Sequence, residues 1–260
     1  MCLLAFNWNN HPEYRLIMVA NRDEFFERPS QPIHHWPSGI FAGKDLRAGG
    51  TWLGMHPNGR FAALTNVRDM RNIKSNPKSR GNLVRDFLEG NMDCLSYLSQ
   101  IEGEKDAFEG FNLLVSDGQQ LYYLSNYHEG VRELTPGIYG LSNALLETPW
   151  PKLTLAKSNL SRKIEEGDFQ KENLMGILHS KEIAPDHELP DTGLGLQRER
   201  LMSCQFISAE GIYGTINTTV LLWKHNGEVE MRERTFDQPA GTHFDTEIKF
   251  EVNSFLAQKS

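Results

Sequence analysis

Runs of apolar residues divide the chain into strands near both ends and helices in the middle. Two runs rich in Leu, Ile, Val and aromatic residues, 2–8 and 14–21, flank a cluster of turn residues and predict a β-hairpin. Residues 16–20 in the second run are all apolar, so we expect both faces of that strand to be covered. The strand therefore belongs in the middle of a layered structure.

Similar patterns predict the remaining elements. Short apolar runs bounded by turn residues predict strands at 51–56, 61–66, 112–116, 121–125, 215–224, 229–236 and 243–252. Apolar residues at helical spacing predict helices at 81–89, 94–101, 151–165 and 173–179. Asp93 is the expected cap of the second helix, and Pro151 suits the first turn of the third. Residues 181–195, rich in Pro and acidic residues, predict a surface loop.

The order of these elements predicts an α+β fold. Strands at both ends with helices between them are typical of a layered sandwich. We see no repeat, low-complexity segment or linker, so residues 1–260 are interpreted as a single domain.

Composition narrows the range of possible partners and cellular locations. The formal net charge of -7 argues against a nucleic-acid partner. No apolar run approaches the ~20 residues that span a bilayer, and no basic segment precedes the short apolar stretch at the N-terminus, so we expect neither integral membrane association nor export. Three cysteines without paired spacing argue against a disulfide scaffold and favour a reducing compartment, which predicts the cytoplasm.

The first hairpin brings reactive residues toward the N-terminus. If Trp8 lies opposite Tyr14, Cys2 lies opposite Ala20, and residues 21–24 follow just beyond the strand end. Removal of Met1 would leave Cys2 with a thiol and a free α-amine of pKa about 7.7 to 8.0, a nucleophile and a base on one residue. Asp23 could hold the amine or orient the thiol. Arg22 could stabilise the thiolate or bind a substrate carboxylate.

Further polar and aromatic residues complete the predicted site. Asn66 and Asn143 each lie at a strand end, and their side-chain amides could donate hydrogen bonds to an oxyanion. Phe25 and Phe26 directly follow the charged cluster and could line the mouth of a pocket, and Asn21 is assigned with them to substrate binding. The scheme requires no cofactor.

A purely structural interpretation competes with each of these functional assignments. A cysteine at position 2 is often a small buried hydrophobe, residues 21–24 could form a salt-bridged strand exit, and either asparagine could simply form a turn. His34, His35 and His56 have no matching ligand set, so no metal site is predicted. The Gly49 and Gly50 block predicts a bulge or a close backbone approach rather than a phosphate loop.

Eight short blocks, in order along the chain, resemble the NRDE protein family, also called the transport and Golgi organisation protein 2 (TANGO2) family. They are Met1-Cys2, Asn21-Arg22-Asp23-Glu24 with Arg28-Pro29, Gly49-Gly50-Thr51-Trp52-Leu53-Gly54, Thr65-Asn66-Val67-Arg68, Ser79-Arg80-Gly81, Gly110-Phe111-Asn112-Leu113-Leu114, Gly140-Leu141-Ser142-Asn143 and Tyr213-Gly214-Thr215. That family looks related to the cysteine branch of the N-terminal nucleophile hydrolases, which contains penicillin V acylase and bile salt hydrolase.

This resemblance implies a four-layer αββα sandwich and a site in which Cys2 is the nucleophile, Arg22 and Asp23 are its partners, and Asn66 and Asn143 are the amide donors. The implied activity is hydrolysis of a linear amide. The alternative is a non-catalytic ligand-binding or trafficking protein for haem or an acyl lipid, because the family is associated with haem handling, lipid metabolism and membrane trafficking.

One position departs from the family pattern. Ile216 stands where the family usually has Arg, directly after Gly-Thr, so a positive charge is missing unless Arg232 or Arg234 reaches the same space. The sequence leaves the substrate and the oligomeric state open.

Overall fold

The computed structural model describes residues 2–209 and 211–252, which are built mainly from strands. In chain order the strands are β1 (Cys2–Trp8), β2 (Tyr14–Phe25), β3 (Ser30–His35), β4 (Phe41–Asp45), β5 (Leu53–Met55), β6 (Phe61–Asn66), β7 (Phe111–Ser116), β8 (Leu121–Ser125), β9 (Arg132–Glu133), β10 (Gly137–Leu141), β11 (Ser208–Ala209), β12 (Tyr213–Lys224), β13 (Glu228–Asp237) and β14 (Thr242–Glu251). The helices are α1 (Gly81–Glu89), α2 (Cys94–Gly103), α3 (Pro151–Glu165), α4 (Lys171–Gly176) and α5 (Leu196–Leu201).

The strands form two antiparallel sheets. The first has the order β10-β1-β2-β12-β13-β14, with the short β11 added alongside β12. The second follows chain order from β3 to β9. Both chain ends therefore contribute to the first sheet, and β2 lies between β1 and β12, where neither of its edges is exposed.

Side-chain alternation along the strands explains how the layers pack. In β1 and β2, Leu4, Phe6, Met18 and their even-numbered neighbours enter the core between the two sheets. The odd-numbered residues enter a second core against α3 and α4. A third core joins the other sheet to α1 and α2. This arrangement confirms the expected α+β fold and its four-layer αββα sandwich, and it explains why β2 is apolar at successive positions.

The sequence predicted most elements within a few residues. The predicted bounds of α1 and α3 are confirmed, and Asp93 caps α2 by accepting a hydrogen bond from the Ser96 backbone N–H at 2.9 Å. The fourth predicted helix is shorter and starts earlier than expected, at Lys171. Residues 181–195 form the expected loop, apart from a single 3-10 turn. Helix α5 and strands β3, β4, β9, β10 and β11 carry no strong periodicity, and the sequence pattern does not predict them.

The predicted register of the first hairpin was wrong by two residues. Trp8 lies opposite Leu16 rather than Tyr14, and Cys2 lies opposite Arg22 rather than Ala20. The connecting turn is longer than expected because the Asn9 backbone N–H bonds to the Arg15 carbonyl at 2.7 Å, with Asn9 at positive φ. A shift of two preserves the face of each side chain, so Cys2 still shares a face with Arg22.

Residues 21–24 also lie within a strand instead of beyond its end. β2 continues to Phe25 because β12 pairs with it along its whole length, up to Tyr213 opposite Phe25. The pairing is interrupted by a bulge at Ile216, so that Thr215 lies opposite Asp23 and Asn217 lies opposite Arg22.

The Gly49 and Gly50 block makes the expected close backbone approach. A Cβ atom on Gly50 would lie 2.5 Å from the carbonyl carbon of Gly81, the first residue of α1. The Thr51 backbone N–H also donates to the Gly81 carbonyl at 3.1 Å. The absence of a side chain at position 50 therefore brings the start of α1 against the second sheet.

In the parts of the chain that the structure describes, every helix is too short or too polar to cross a bilayer.

Candidate functional site

A cavity of about 350 Å³ opens where the ends of β1 and β2 face β4 and the first turn of α1. It contains the N-terminal cysteine and most of the charged cluster that the sequence singled out. The polar and charged residues that line it include Cys2, Arg22, Asp23, Glu24, Asn66, Arg80 and Asn217.

Cys2 borders this cavity but is only 5% exposed. The pKa of its thiol is raised to about 11, mainly by burial; the nearby Asp23 and Glu24 contribute to the rise, and Arg22 opposes it. The thiol is therefore protonated at neutral pH, and any nucleophilic attack requires a base to remove its proton. The expectation that Met1 is removed concerns a position outside the described residues.

Arg22 lies directly opposite Cys2 on the neighbouring strand. It is 8% exposed, and its Nη2 lies 3.9 Å from Glu24 Oε2. Glu24 lies 3.7 Å from Arg28, which in turn makes two hydrogen bonds to Asp45. Opposite charges thus alternate along one wall of the cavity, and within residues 2–209 and 211–252 the one ion pair of Arg22 is the longest of these contacts.

Asp23 lines the cavity from the next position in β2 and is buried. Its Oδ1 accepts a hydrogen bond from Thr215 Oγ1 at 2.7 Å, and its backbone carbonyl accepts one from the Tyr213 hydroxyl at 3.1 Å. Burial raises the pKa of this carboxyl, whereas Lys152 and the hydrogen bond from Thr215 lower it. These contacts fix the orientation of the side chain.

Lys152 is a buried cation that sequence reasoning missed. Its Nζ donates to the Met202 carbonyl at 3.0 Å. Burial, reinforced by the charge of Arg68, lowers its pKa to about 8, while Asp23 opposes that shift. Lys152 lies in the first turn of α3, where the helix dipole favours acidic side chains over basic ones. That unfavourable position was the available sequence signal that tertiary contacts hold the Lys152 amine.

The two asparagines proposed as amide donors occupy different places. Asn66, at the end of β6, lines the cavity. Asn143 is fully buried behind it, where its Nδ2 donates to the Asn66 carbonyl at 3.0 Å and its own carbonyl accepts from the Arg68 backbone N–H at 2.8 Å. The geometry gives Asn143 a contact that positions Asn66, whereas Asn66 itself faces the cavity.

The three residues assigned to substrate binding lie away from the cavity. Asn21 faces the helical layer, as strand alternation requires for a neighbour of Arg22, and its Nδ2 donates to the carbonyls of Leu178 and Gln205. Phe25 is half exposed and packs edge-on against Tyr213. Phe26 packs near Gly214 and does not reach the cavity wall either.

No arginine of β13 replaces the charge missing at position 216. Arg232 and Arg234 pair with Asp245 and with Glu172, away from the cavity. Glu233 lies on the face of β13 that packs between the two sheets. Its carboxylate accepts hydrogen bonds from the Ile33 backbone N–H and from the Thr219 hydroxyl. Burial raises the pKa of Glu233 to about 7.

Asn217 is the second residue that sequence reasoning missed. The bulge at Ile216 places Asn217 opposite Arg22, and both side chains line the cavity. An amide residue inside a long, mainly apolar strand was the available signal. The position of Asn217 opposite Arg22 depends on the bulge, which the sequence pattern does not reveal.

The family model described as Transport and Golgi organisation 2 matches residues 1–238. The chain belongs to the TANGO2 family. A relative from Bos taurus, Transport and Golgi organization protein 2 homolog, is 36% identical over 95% of this chain and 97% of its own length. The Mus musculus homolog is 37% identical over 90% and 93%, and the Drosophila melanogaster protein is 27% identical over 90% and 92%.

Two solved structures are similar to this TANGO2-family chain. One is the Caenorhabditis elegans ortholog of N-acylethanolamine-hydrolyzing acid amidase, with a TM-score of 0.45 and 12% identity over 85% of this chain and 92% of that one. The other is the C2A mutant of the conjugated bile acid hydrolase from Clostridium perfringens, with a TM-score of 0.41 and 10% identity over 98% of each chain.

Proposed function

We propose that this TANGO2-family chain is a cysteine amidohydrolase that cleaves a small linear amide through Cys2. The main support is the pairing of Cys2 with Arg22 across β1 and β2, which places a thiol, a guanidinium and the Asn66 amide along one cavity. A cavity of about 350 Å³ with charged walls suits a small polar substrate.

In the proposed reaction, the Cys2 sulfur attacks the carbonyl carbon of the amide. Because the thiol pKa is about 11, a base must take the proton, and the α-amine of Cys2 supplies one after Met1 is removed. Asp23, held by Thr215, stabilises the resulting ammonium group. Asn66 donates a hydrogen bond to the oxyanion, and Asn143 positions Asn66.

The C–N bond then breaks, and the leaving nitrogen takes the proton from the ammonium group, which leaves a thioester on Cys2. Water attacks the thioester, with its proton passing to the same amine, and releases the carboxylic acid and the free thiol.

This proposal is tested by mass spectrometry of untagged protein. The intact mass should show that Met1 is absent, and iodoacetamide should label Cys2 faster than Cys94 and Cys204, the other two buried cysteines. Asp23→Asn should slow labelling of Cys2 without altering the other two, and Asp69→Asn, at the surface, is the matched control. Retention of Met1, or equal labelling of all three cysteines, would count against an amine-assisted nucleophile.

One observation favours a second function, the non-catalytic binding of haem or an acyl lipid. A thiol that is 5% exposed and protonated at neutral pH is poorly suited to act as a nucleophile. In that case a haem titration should shift the Soret band equally in wild type and in Cys2→Ala. Absence of any shift at micromolar protein would remove the haem part of this alternative, and a fluorescent fatty acid tests the lipid part.

A further inference from the structure

Strand β14 forms an edge of the first sheet that lacks the usual protection against pairing. It pairs with β13 at ten consecutive positions, from Thr242 to Glu251, without a bulge, a proline or a glycine. In the described parts of the chain, no strand pairs with its other side. A long and regular edge presents a row of backbone N–H and C=O groups that can pair with a further strand.

The other edges of the two sheets, within the described residues, are short or irregular. On the second sheet, β3 contains Pro32 and a bulge between Gln31 and His34, and β9 has only two residues. At the opposite end of the first sheet, β10 has five residues, of which two are glycines. Prolines, bulges and short strands each hinder pairing with another chain. Strand β14 is therefore the edge best suited to extend a sheet.

Side chains on the helical face of β14 lie opposite residues of the other sign on β13. Glu247 lies opposite Arg232, with 3.5 Å between carboxylate and guanidinium. Lys249 lies opposite Glu230, with 3.1 Å between amine and carboxylate. The side chains of Glu247 and Lys249 are nevertheless 45% and 64% exposed. Each therefore has room for a second ionic partner on the free side of the strand.

We propose that two copies of this chain form a symmetric dimer by antiparallel pairing of their β14 strands, with Ile248 opposite Ile248 of the second copy. In this register Glu247 lies opposite Lys249 of the second copy, and the reverse pair forms on the other side of the axis. Charges then alternate across four strands, from Arg232 and Glu247 of one copy to Lys249 and Glu230 of the other. Opposite charges on directly paired residues stabilise antiparallel strands. This dimer is independent of the chemistry at Cys2.

The charges also select this register over its neighbours. The extended sheet keeps its two faces only if the register shifts in steps of two residues, because a shift of one exchanges the faces. A step of two in either direction places Glu247 or Lys249 opposite its own copy, which brings like charges together at the symmetry axis. The proposed register places Asp245 opposite Glu251 of the second copy, but Asp245 already accepts a hydrogen bond from Arg234 at 2.8 Å.

The inner face of the same strand supplies an apolar contact. Ile248 and Phe250 are partly buried against the core between the sheets, and Phe250 stacks on Phe41 with 4.3 Å between the ring centroids. In the dimer, Ile248 meets its own copy at the axis, and Phe250 lies opposite Thr246 of the second copy. Pairing therefore removes further apolar surface from water in addition to forming backbone hydrogen bonds.

Sedimentation velocity of the full chain across the micromolar range tests this proposal. Wild type should reach twice the monomer mass. Glu247→Lys and Lys249→Glu should each weaken the dimer about tenfold or more, because like charges then face each other on both sides of the axis. The matched control is Glu133→Lys on β9, which makes the same change at an edge of the second sheet and should leave the mass unaltered.

A mixture of the two variants separates a lost interface from a lost fold. Glu247→Lys leaves two cations at positions 247 and 249, and Lys249→Glu leaves two anions there. An equimolar mixture should therefore form a heterodimer at concentrations where each variant alone is monomeric. Mixing does not change the contacts within either chain, so this rescue reports on the contact between copies.

Cysteine cross-linking tests the register. Ile248→Cys should form an intermolecular disulfide when an oxidant is added, because directly opposite residues have Cβ atoms about 4.5–5.5 Å apart. Thr246→Cys should not, because the two copies of that residue are four residues apart along the strands. A monomeric wild type, a dimer unaffected by Glu247→Lys, a mixture that stays monomeric, or equal cross-linking at both positions would overturn the proposal.

Discussion

Two adjacent rows of side chains in β2 and β12 have contrasting hydrogen bonding. In the row that faces the helices, the Asn21 carboxamide donates to two backbone carbonyls and accepts from Thr218. In the row that faces the cavity, Asn217 has an unpartnered Oδ1 and Arg22 donates to no described residue. The same residue type is therefore fully hydrogen-bonded on one face and retains an unpartnered oxygen, among the described residues, on the other.

This contrast explains why the charged cluster was hard to interpret from sequence. Asn21 is hydrogen-bonded within the helical face of the sheet, whereas Arg22, Asp23 and Glu24 line the cavity, so the four residues do not share one environment. Neither the salt-bridged strand exit nor a contiguous catalytic motif describes the whole segment.

The strongest test of the contrast compares two substitutions of asparagine by leucine. Asn21→Leu removes three hydrogen bonds at a fully buried site and should lower the free energy of unfolding by about 3 kcal/mol. Asn217→Leu should change it by less than about 1 kcal/mol, because no comparable contacts are lost. Urea denaturation measures both. Equal destabilisation by the two variants would abolish the distinction between the rows.

A second test uses Glu233, which faces the same side as Asn217 but is hydrogen-bonded. Because its pKa is raised from 4.5 to about 7, its contribution to stability is complete below pH 4.5 and is lost as the pH rises through 7. From pH 4 to pH 6 wild type should lose about 2 kcal/mol relative to Glu233→Gln. Unfolding curves at each pH measure the difference, and parallel pH profiles would show that Glu233 titrates normally.

A third test concerns the thiol itself. The pKa of Cys2 is raised from 9.0 to about 11, so its stabilising contribution is complete below pH 9 and is lost as the pH rises toward 11. At pH 10 wild type should have lost about 1.4 kcal/mol relative to Cys2→Ala, compared with neutral pH. The same comparison with Thr235→Val, which removes a buried side chain that does not titrate, controls for general alkaline destabilisation. An unchanged difference between wild type and Cys2→Ala would indicate a thiol with an ordinary pKa.

The smallest effect is expected at Phe25, which was assigned to the pocket mouth from sequence. Its side chain is 50% exposed and lies outside the cavity wall. Phe25→Ser should change the free energy of unfolding by about 0.5 kcal/mol or less and leave the rate of iodoacetamide labelling at Cys2 unaltered. A clear change in that rate would return Phe25 to the site.

Local signals in the sequence predicted much of the fold. The bounds of α1 and α3 and the cap at Asp93 follow from helical periodicity and from residues adjacent in the chain. The hairpin register could not be obtained in this way, because it depends on which residues close the turn, and here the bond from Asn9 to Arg15 determines it.

The candidate site was only partly predictable for a related reason. Cys2, Arg22 and Asp23 were found because two paired strands bring them together. Lys152 and Asn217 come from distant segments, and their proximity to Cys2 depends on how α3 and β12 pack. The different positions of Asn66 and Asn143 likewise depend on a tertiary hydrogen bond.

The bulge at Ile216 has a consequence for any comparison of β12 with related chains. It inserts one residue between Thr215, opposite Asp23, and Asn217, opposite Arg22. Sequence alignments that gain or lose a single position here would exchange residues that face the helices for residues that face the space between the sheets. Differences in the cavity lining among relatives should therefore be sought by counting from this insertion rather than from the preceding Gly-Thr pair.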